Sequence, residues 1–174
     1  MATGARGRAG AGGSAGSRAE LVDALLTASR VMVSLAARSV AELDADVTLP
    51  QYRALVVLGS RGPQRVVDIC AELQVSSSTG TRLCDRLVRK GLISRDRSDT
   101  DRREVRLTLT ADGERLLTEI TRRRRAEFAR IVAELPAVWD EPVATALRAL
   151  ATTAGEVPDS EWWLGLHHVA PDPL

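Results

Sequence analysis

The feature of this 174-residue sequence that most restricts its fold is a change in the spacing of apolar residues at Gly91. Before this glycine, apolar residues recur every three or four positions, as they do along one face of an α-helix. After it, apolar and polar residues alternate in two short runs, 92–95 and 105–109, and this alternation is typical of strands. The polar run between them, RDRSDTDRR, favours a turn, so we predict a helix followed by a hairpin with a charged tip. The inward helical positions are Gly80, Leu83, Cys84 and Leu87.

The residues that flank this unit mark helix ends. Ser76 to Thr79 form a dense run of hydroxyl side chains, which favours an N-cap for the helix ahead of the hairpin. A short helix, residues 65–75, precedes it, and Thr110 is placed to cap a long helix that runs to about Leu135. The inward positions predicted for the short helix are Val67, Cys70 and Ala71, with either Leu73 or Ile69. A short helix, a tight turn, a second helix and a charged hairpin, in this order, predict a winged helix-turn-helix.

Two further helices are predicted on the N-terminal side of this unit. Residues 19–45 carry two apolar stripes at helical spacing, and a small domain rarely covers both stripes of its own first helix. We therefore expect a second chain to cover one of them. Thr48 and Pro50 favour the start of the next helix, and Gly59 and the Gly62–Pro63 pair are expected to end it.

The two ends of the chain differ in composition. Residues 1–18 are mostly Gly, Ala, Ser and Arg without apolar periodicity, and they are expected to be disordered. A last helix is predicted to run to about Thr153, and residues 156–174 extend beyond it. The inward positions of that helix are Val143, Leu147 and Leu150. In the extension, Trp162 and Trp163 either cover an apolar groove or belong to a frayed tail, and the sequence leaves both alternatives open.

Composition argues against several classes of protein. No apolar run approaches about 18 residues, so no transmembrane helix is expected, and the first residues lack the apolar core of a secretory signal. Two cysteines do not build a disulfide framework, which favours a cytoplasmic protein with reduced thiols. His167 and His168 are too few for a zinc site, and we expect no metal and no cofactor. No nucleophile–base set is recognisable, so an enzyme is the weakest interpretation.

Charge is distributed unevenly, although the net charge is only +1. Residues 76–103 carry eight basic residues against four acidic ones, whereas residues 136–174 carry one against six. A basic middle segment suits a surface that faces a polyanion. A charge run alone is often a solvated face, but this one coincides with the capped helix and the hairpin, and the combination predicts DNA binding.

The helix that begins after Ser76 is expected to place its N-terminal half in the major groove, and the hairpin tip to reach an adjacent minor groove. Arg82 and Arg86 are the candidates for bidentate contacts to guanine. Asp101 would hold the guanidinium groups of the arginines that follow it. The predicted DNA-binding residues are Ser76, Ser77, Ser78, Thr81, Arg82, Arg86, Arg95, Asp101, Arg102 and Arg103.

Residues 49–113 resemble the MarR family of bacterial transcriptional regulators. The resemblance rests on the stretches LPQYRALVVL, VVDICAELQVSSSTGTRLCDRLVRKGLISR and DTDRREVRLTLTADG. The positions that match the wing signature of the family are Asp101, Arg103, Leu109, Thr110 and Gly113. Gly80 departs from the family pattern, which more often has a β-branched residue there. Either the helices pack very closely at this glycine, or the helix is loosened.

The resemblance implies a homodimer with interlocking terminal helices, whose two reading helices meet a palindromic DNA site. It also implies repression that is relieved when a small molecule binds between the dimerisation helices and the DNA-binding lobe. Arg30, Ser34, Arg38 and Tyr52 are the candidate pocket residues, and an arginine there would favour an anionic aromatic ligand. The alternative is that Arg30 and Arg38 are surface residues or form salt bridges.

The fold class is therefore expected to be mainly α with a small β-hairpin wing. The predicted organisation is a tail (1–18), one winged helix-turn-helix domain (19–155) and a C-terminal extension (156–174), with a DNA-binding lobe (about 48–110) and dimerisation helices (about 19–45 and 111–155). Three alternative functions remain at this point. One is a DNA-packaging protein without sequence preference, and another is a dimeric protein-interaction module, suggested by the acidic C-terminal segment and its tryptophan pair. The third is a regulator of the same fold that senses oxidants through Cys70 or Cys84. The hydroperoxide-sensing branch of the family has its reactive cysteine in the first helix, and residues 19–45 contain none.

Overall fold

The chain is mainly helical with one two-stranded antiparallel hairpin, as the sequence predicts. The computed structural model describes residues 12–41, 46–97, 104–135 and 141–165. Its regular elements are α1 (Gly12–Ala41), α2 (Leu49–Arg61), α3 (Val66–Leu73), α4 (Ser77–Arg89), β1 (Ile93–Arg97), β2 (Val105–Leu109), α5 (Ala111–Glu134) and α6 (Glu141–Thr153), followed by a 3₁₀ turn at Asp159–Glu161. The chain divides after Ala36 into two units, which are described separately.

The first unit is the N-terminal part of α1. This helix begins at Gly12 rather than at residue 19, so residues 12–18 are helical where disorder was expected. Backbone hydrogen bonds between residues four apart carry a helix beyond its first apolar residue without any burial of side chains. Residues 1–11 lie outside the described part of the chain. Leu35 is buried, but most of both predicted stripes is uncovered, because six large apolar side chains in the middle of the helix are exposed: Leu21, Val22, Leu26, Val31, Met32 and Val33.

The core of the second unit surrounds α2. Most of this helix is buried, and it packs against α3, α4, α5 and β2. Its start is a capping box, in which the Gln51 N–H donates to Thr48 Oγ1 over 3.4 Å and the Thr48 N–H donates to Gln51 Oε1 over 3.0 Å. The helix ends at Gly62, whose φ of +76° requires a glycine. Gly59 does not end it, contrary to prediction, because packing on α5 outweighs the low helix propensity of one glycine.

Helices α3 and α4 form the predicted helix-turn-helix. The inward positions of α4 are all buried, which confirms that part of the pattern. In α3, Ile69 and Cys70 are buried, whereas Val67 is 58% exposed and Ala71 is exposed, so the prediction was wrong for these two residues. The stripe that faces the core has the same helical spacing but starts one residue earlier, at Val66. A helix of eight residues is too short for periodicity to separate the two registers.

Helix α4 packs very closely against α3 at Gly80. A Cβ atom built on Gly80 would lie 2.2 Å from Cys70 Sγ, which is far inside van der Waals contact. Of the two alternatives left by the sequence, very close packing is therefore the one observed.

The hairpin is joined to the rest of the unit at both ends. Arg95 pairs with Leu107 in the antiparallel register, and Leu107 also exchanges two backbone hydrogen bonds with Gln64, at 2.7 and 3.1 Å. Thr110 caps α5 by accepting from the Gly113 N–H, and its own hydroxyl donates to the Gly91 carbonyl over 2.6 Å. The first turn of α5 is thereby tied to the end of α4.

Helix α6 differs from the prediction. Val143 is half-buried, but Leu147 and Leu150 are exposed, so the expected inward face is uncovered within the described chain. Apolar periodicity shows which residues share a face and does not show what covers that face. Among the described helices, none is both long enough and apolar enough to cross a membrane.

Replacing Gly80 tests the contact with Cys70. We expect Gly80→Ala to lower the free energy of unfolding by about 1 kcal/mol, because overpacking at about 1–3 kcal/mol exceeds a gain in helix propensity of about 1 kcal/mol. In a Cys70→Ala background the same substitution should raise it by about 1 kcal/mol, because the nearest remaining atom of residue 70 is its Cβ at 3.5 Å. Urea unfolding of the parent protein and the three variants measures both effects, and the same sign in both backgrounds would contradict the contact.

Candidate nucleic-acid interface

The N-terminus of α4 carries the hydroxyl groups that the sequence singled out. Ser76 is the N-cap: its Oγ accepts from the Thr79 N–H over 3.3 Å and donates to Thr79 Oγ1 over 3.0 Å. The Thr81 hydroxyl donates to the Ser77 carbonyl over 2.8 Å. The Ser76 side chain is therefore used to cap its own helix. The exposed Ser77 and Ser78 lie at the N-terminus of α4, which is the positive end of the helix dipole.

The outer face of α4 is basic. Arg82, Arg86 and Arg89 are exposed, and the opposite face is buried. Within the part of the chain that the structure describes, no acidic side chain pairs with any of these three arginines. Their donors are consequently available to an external anion.

Arg95 is placed differently from the other predicted contacts. It lies on β1 and forms an ion pair with Asp85 of α4, so it joins the hairpin to the helix. It would reach DNA only with that carboxylate beside it. The predicted contacts Asp101, Arg102 and Arg103 lie outside the described residues.

The base of the hairpin is held by charge. Arg65 donates two hydrogen bonds to Asp68, at 2.7 and 2.8 Å, and lies 3.6 Å from Glu104. Glu104 also pairs with Arg106 at 3.3 Å. The hydrogen bonds from Arg65 lower the pKa of Asp68 below its usual range, which favours the ionised carboxylate that accepts them. This network connects the start of α3 to the strand that leads out of the tip.

The predicted ligand residues fall in both units. Arg30 and Ser34 belong to the first unit and are exposed, with Arg30 donating to Thr27 Oγ1 over 3.1 Å. Arg38 is an exposed residue of the second unit, where Tyr52 is buried. These placements leave the ligand assignment a prediction.

Arg124 is a residue that the sequence reasoning missed. Its Nη1 donates to the Tyr52 hydroxyl over 2.8 Å, and its guanidinium lies 5.9 Å from the centre of that ring. Its Nε and Thr121 Oγ1 are buried, and neither has a hydrogen-bond partner among the described residues. The available signal was the run Arg122–Arg125, which covers every face of a helix, so one member had to point inward.

The other three arginines of that run have acidic partners. Glu119 accepts from Arg122 and from Arg123, over 2.9 and 2.7 Å, and these hydrogen bonds lower its pKa to about 2. Arg125 pairs with Asp159 at 3.4 Å. The run is therefore engaged within the chain and does not form an open basic patch.

Both cysteines are free thiols in the interior of the helix-turn-helix. Cys84 is fully buried, and burial raises its pKa to about 11. A sensing thiol needs exposure and a lowered pKa, which is the opposite environment. No group of three or more metal-ligating side chains occurs in the described ranges, and His167 and His168 fall outside them.

Helices α3 and α4 with the hairpin constitute a winged helix-turn-helix, and comparisons identify its family. Residues 47–105 match the sequence model of the MarR family. RV1404 from Mycobacterium tuberculosis, a solved structure, is 39% identical, with 83% of this chain and 97% of that chain covered and a TM-score of 0.75. A MarR family protein from Bacillus stearothermophilus is 27% identical, with coverage of 80% and 94% and a TM-score of 0.67. The chain belongs to the MarR family, as its sequence predicted.

A curated relative supports the same assignment over a shorter range. YpoP, an uncharacterised HTH-type transcriptional regulator from Bacillus subtilis, is 34% identical over 86 residues. That match covers 49% of this chain and 61% of YpoP, so the chain spans less than two thirds of this relative. Members of the family are transcriptional regulators, and the prediction of a regulator rather than an enzyme is confirmed.

Burial of Cys84 has a direct chemical consequence. At pH 8 only about one thiol in a thousand should be a thiolate when its pKa is about 11. We expect Cys84 in a Cys70→Ser variant to resist iodoacetamide for hours in the folded protein and to react at the ordinary rate in urea. Mass spectrometry follows the modification, and rapid labelling of the folded protein would instead favour the oxidant-sensing alternative.

Proposed function

We propose that the protein is a homodimeric transcriptional regulator that represses from palindromic DNA sites and is released by a small-molecule ligand. The observation that carries the DNA-binding part is the exposed, unpaired row of Arg82, Arg86 and Arg89 on α4. A helix docked by its N-terminal half would bring Ser77, Ser78 and the first arginines to base edges and phosphates. Arg102 and Arg103 would then probe the minor groove.

A second copy of the chain is the partner best suited to the uncovered apolar faces. The exposed apolar side chains of α1, Val132 and Leu135 near the end of α5, and Leu147 and Leu150 of α6 are numerous for a monomer. Two copies related by a two-fold axis would present two reading helices. The half-sites are then expected about one helical turn, or about 10 base pairs, apart.

The ligand proposal rests on two buried polar groups of α5, one of which belongs to Arg124 beside Tyr52. A buried donor without a partner is costly, and both Arg124 Nε and Thr121 Oγ1 are such atoms among the described residues. An anionic aromatic compound would offer acceptor atoms to Arg124 and a ring to Tyr52. Arg30, Ser34 and Arg38 stay candidates for further contacts.

DNA reading is tested with single arginine substitutions. We expect Arg82→Ala and Arg86→Ala each to weaken binding about 5- to 150-fold, because a bidentate base contact is worth about 1–3 kcal/mol. The probe is a duplex that the full-length protein selects from a random pool, and fluorescence anisotropy measures affinity. Arg130→Ala is the matched control, because this exposed arginine of α5 pairs with Glu127 and should be neutral.

The same titration separates the alternatives. A preference of about a thousandfold or more over a shuffled duplex near 150 mM salt supports specific regulation. Equal, salt-sensitive affinity for both duplexes would support the packaging alternative. A full-length protein that enriches no sequence and binds neither duplex would overturn the proposed function.

Ligand release is tested with 2-hydroxybenzoate as an anionic aromatic probe and benzyl alcohol as its uncharged control. We expect only the anion to lower DNA affinity, and Arg124→Gln to remove that response while it leaves DNA affinity without ligand within about twofold. Arg115→Gln, at an exposed position of the same helix, is the control variant. An unchanged response of Arg124→Gln would place the ligand elsewhere.

A further inference from the structure

The chain that follows α6 folds back onto the end of α2. We call residues 155–165 the C-terminal strap. Its backbone donates two hydrogen bonds to the last turn of α2, from the Trp163 N–H to the Ser60 carbonyl over 3.1 Å and from the Leu164 N–H to the Gly59 carbonyl over 3.0 Å. The last four carbonyls of an α-helix have no partner within the helix, and Gly59 and Ser60 carry two of them. The strap therefore caps α2 from a distant part of the sequence.

Two tryptophans of the strap pack against the glycines at the C-terminal end of α2. The ring of Trp162 lies 3.7 Å from where a Cβ of Gly59 would be, and its Nε1 donates to the Val157 carbonyl over 3.0 Å. Trp163 lies over Gly62, with its Cγ 3.0 Å from the corresponding Cβ position, although 61% of this residue stays exposed. Trp162 is thus the anchor, half-buried against the core, and the frayed-tail alternative does not hold for residues 155–165.

Charged groups hold the beginning of the strap. Arg53 of α2 forms an ion pair with Glu156, in which Arg53 Nη1 and Glu156 Oε2 are 3.0 Å apart. Arg61 Nη2 donates to the Gly155 carbonyl over 2.8 Å and also lies 3.2 Å from Glu72 of α3. One guanidinium therefore joins the strap, α2 and α3.

The helix end that the strap caps leads directly into the parts that face DNA in the proposed function. Gln64 pairs with Leu107 of β2, and Arg65 starts α3 while lying 3.6 Å from Glu104 at the hairpin base. Capping α2 therefore fixes the point from which both the hairpin and the helix-turn-helix extend. This continuous chain of hydrogen bonds and ion pairs is a physical route for coupling.

We propose that the C-terminal strap is a positioning element for DNA binding, with Trp162 as its anchoring residue. The strap touches no DNA; it holds α2, α3 and the hairpin in the relative placement that a groove requires. This inference rests on the proposed function, because it concerns the affinity for DNA.

The test compares two truncations. A chain ended after Glu156 loses most of the strap, whereas a chain ended after Gly165 keeps it and serves as the matched control. We expect the control to bind the selected duplex like the full-length protein, and the shorter chain to bind about tenfold more weakly, within the usual range of coupling between sites. Hydrogen exchange at the Gln64 and Leu107 amides should become faster in the shorter chain only.

Point variants keep the test decisive if the shorter chain folds poorly. Trp162→Ala should reproduce the loss of affinity and the faster exchange, and Trp162→Phe should restore both in large part, because a phenyl ring still covers Gly59. Circular dichroism and sedimentation verify folding and oligomeric state at the concentrations used. Equal affinity of the shorter chain and the control, or a loss explained by a change in oligomeric state, would overturn the inference. Absence of DNA binding by the full-length protein would overturn the proposed function instead.

Discussion

Burial of α2 is the constraint on which the rest of the second unit depends. Side chains on nearly every face of this helix are excluded from water, so α3, α4, α5 and the second strand must all pack around it. A helix buried on most of its faces cannot rotate or slide without opening several contacts at once. The Thr48 capping box fixes where it begins, and Gly62 with the strap fixes where it ends. The position of α2 therefore determines the positions of the helix-turn-helix and the hairpin.

One face of α4 packs against the core, and the opposite face is exposed and basic. The inner face approaches α3 so closely that Gly80 has no room for a methyl group, and this contact sets the depth of the helix in the fold. The outer face keeps three arginines without acidic partners in the described chain, whereas every arginine of α5 except Arg124 pairs with an acidic side chain. Local pairing, rather than the count of basic residues, therefore decides which surface can receive a polyanion.

Much of the fold could be predicted because its signals are local. Thr48, Ser76 and Thr110 cap the helices that the sequence assigned to them, since a hydroxyl beside an apolar repeat acts within one turn. The errors arose where distant packing decides. Gly59 continues a helix because α5 packs against it. Val67, which faces solvent, was assigned to the inner face because the apolar pattern of a short helix fits two registers. The contacts of Arg124 and of the strap were beyond local reasoning, because Arg124 lies 72 positions from Tyr52 and Glu156 lies 103 positions from Arg53.

The contact between Gly80 and Cys70 also constrains how this chain can diverge. A side chain at position 80 needs the space that the sulfur at position 70 now fills, so neither position is free to change alone. A MarR protein with a β-branched residue at position 80 is then expected to have a smaller residue at position 70, or a wider separation between α3 and α4. Substitutions at positions 80 and 70 should therefore be correlated, because a larger residue at one position requires a smaller residue at the other.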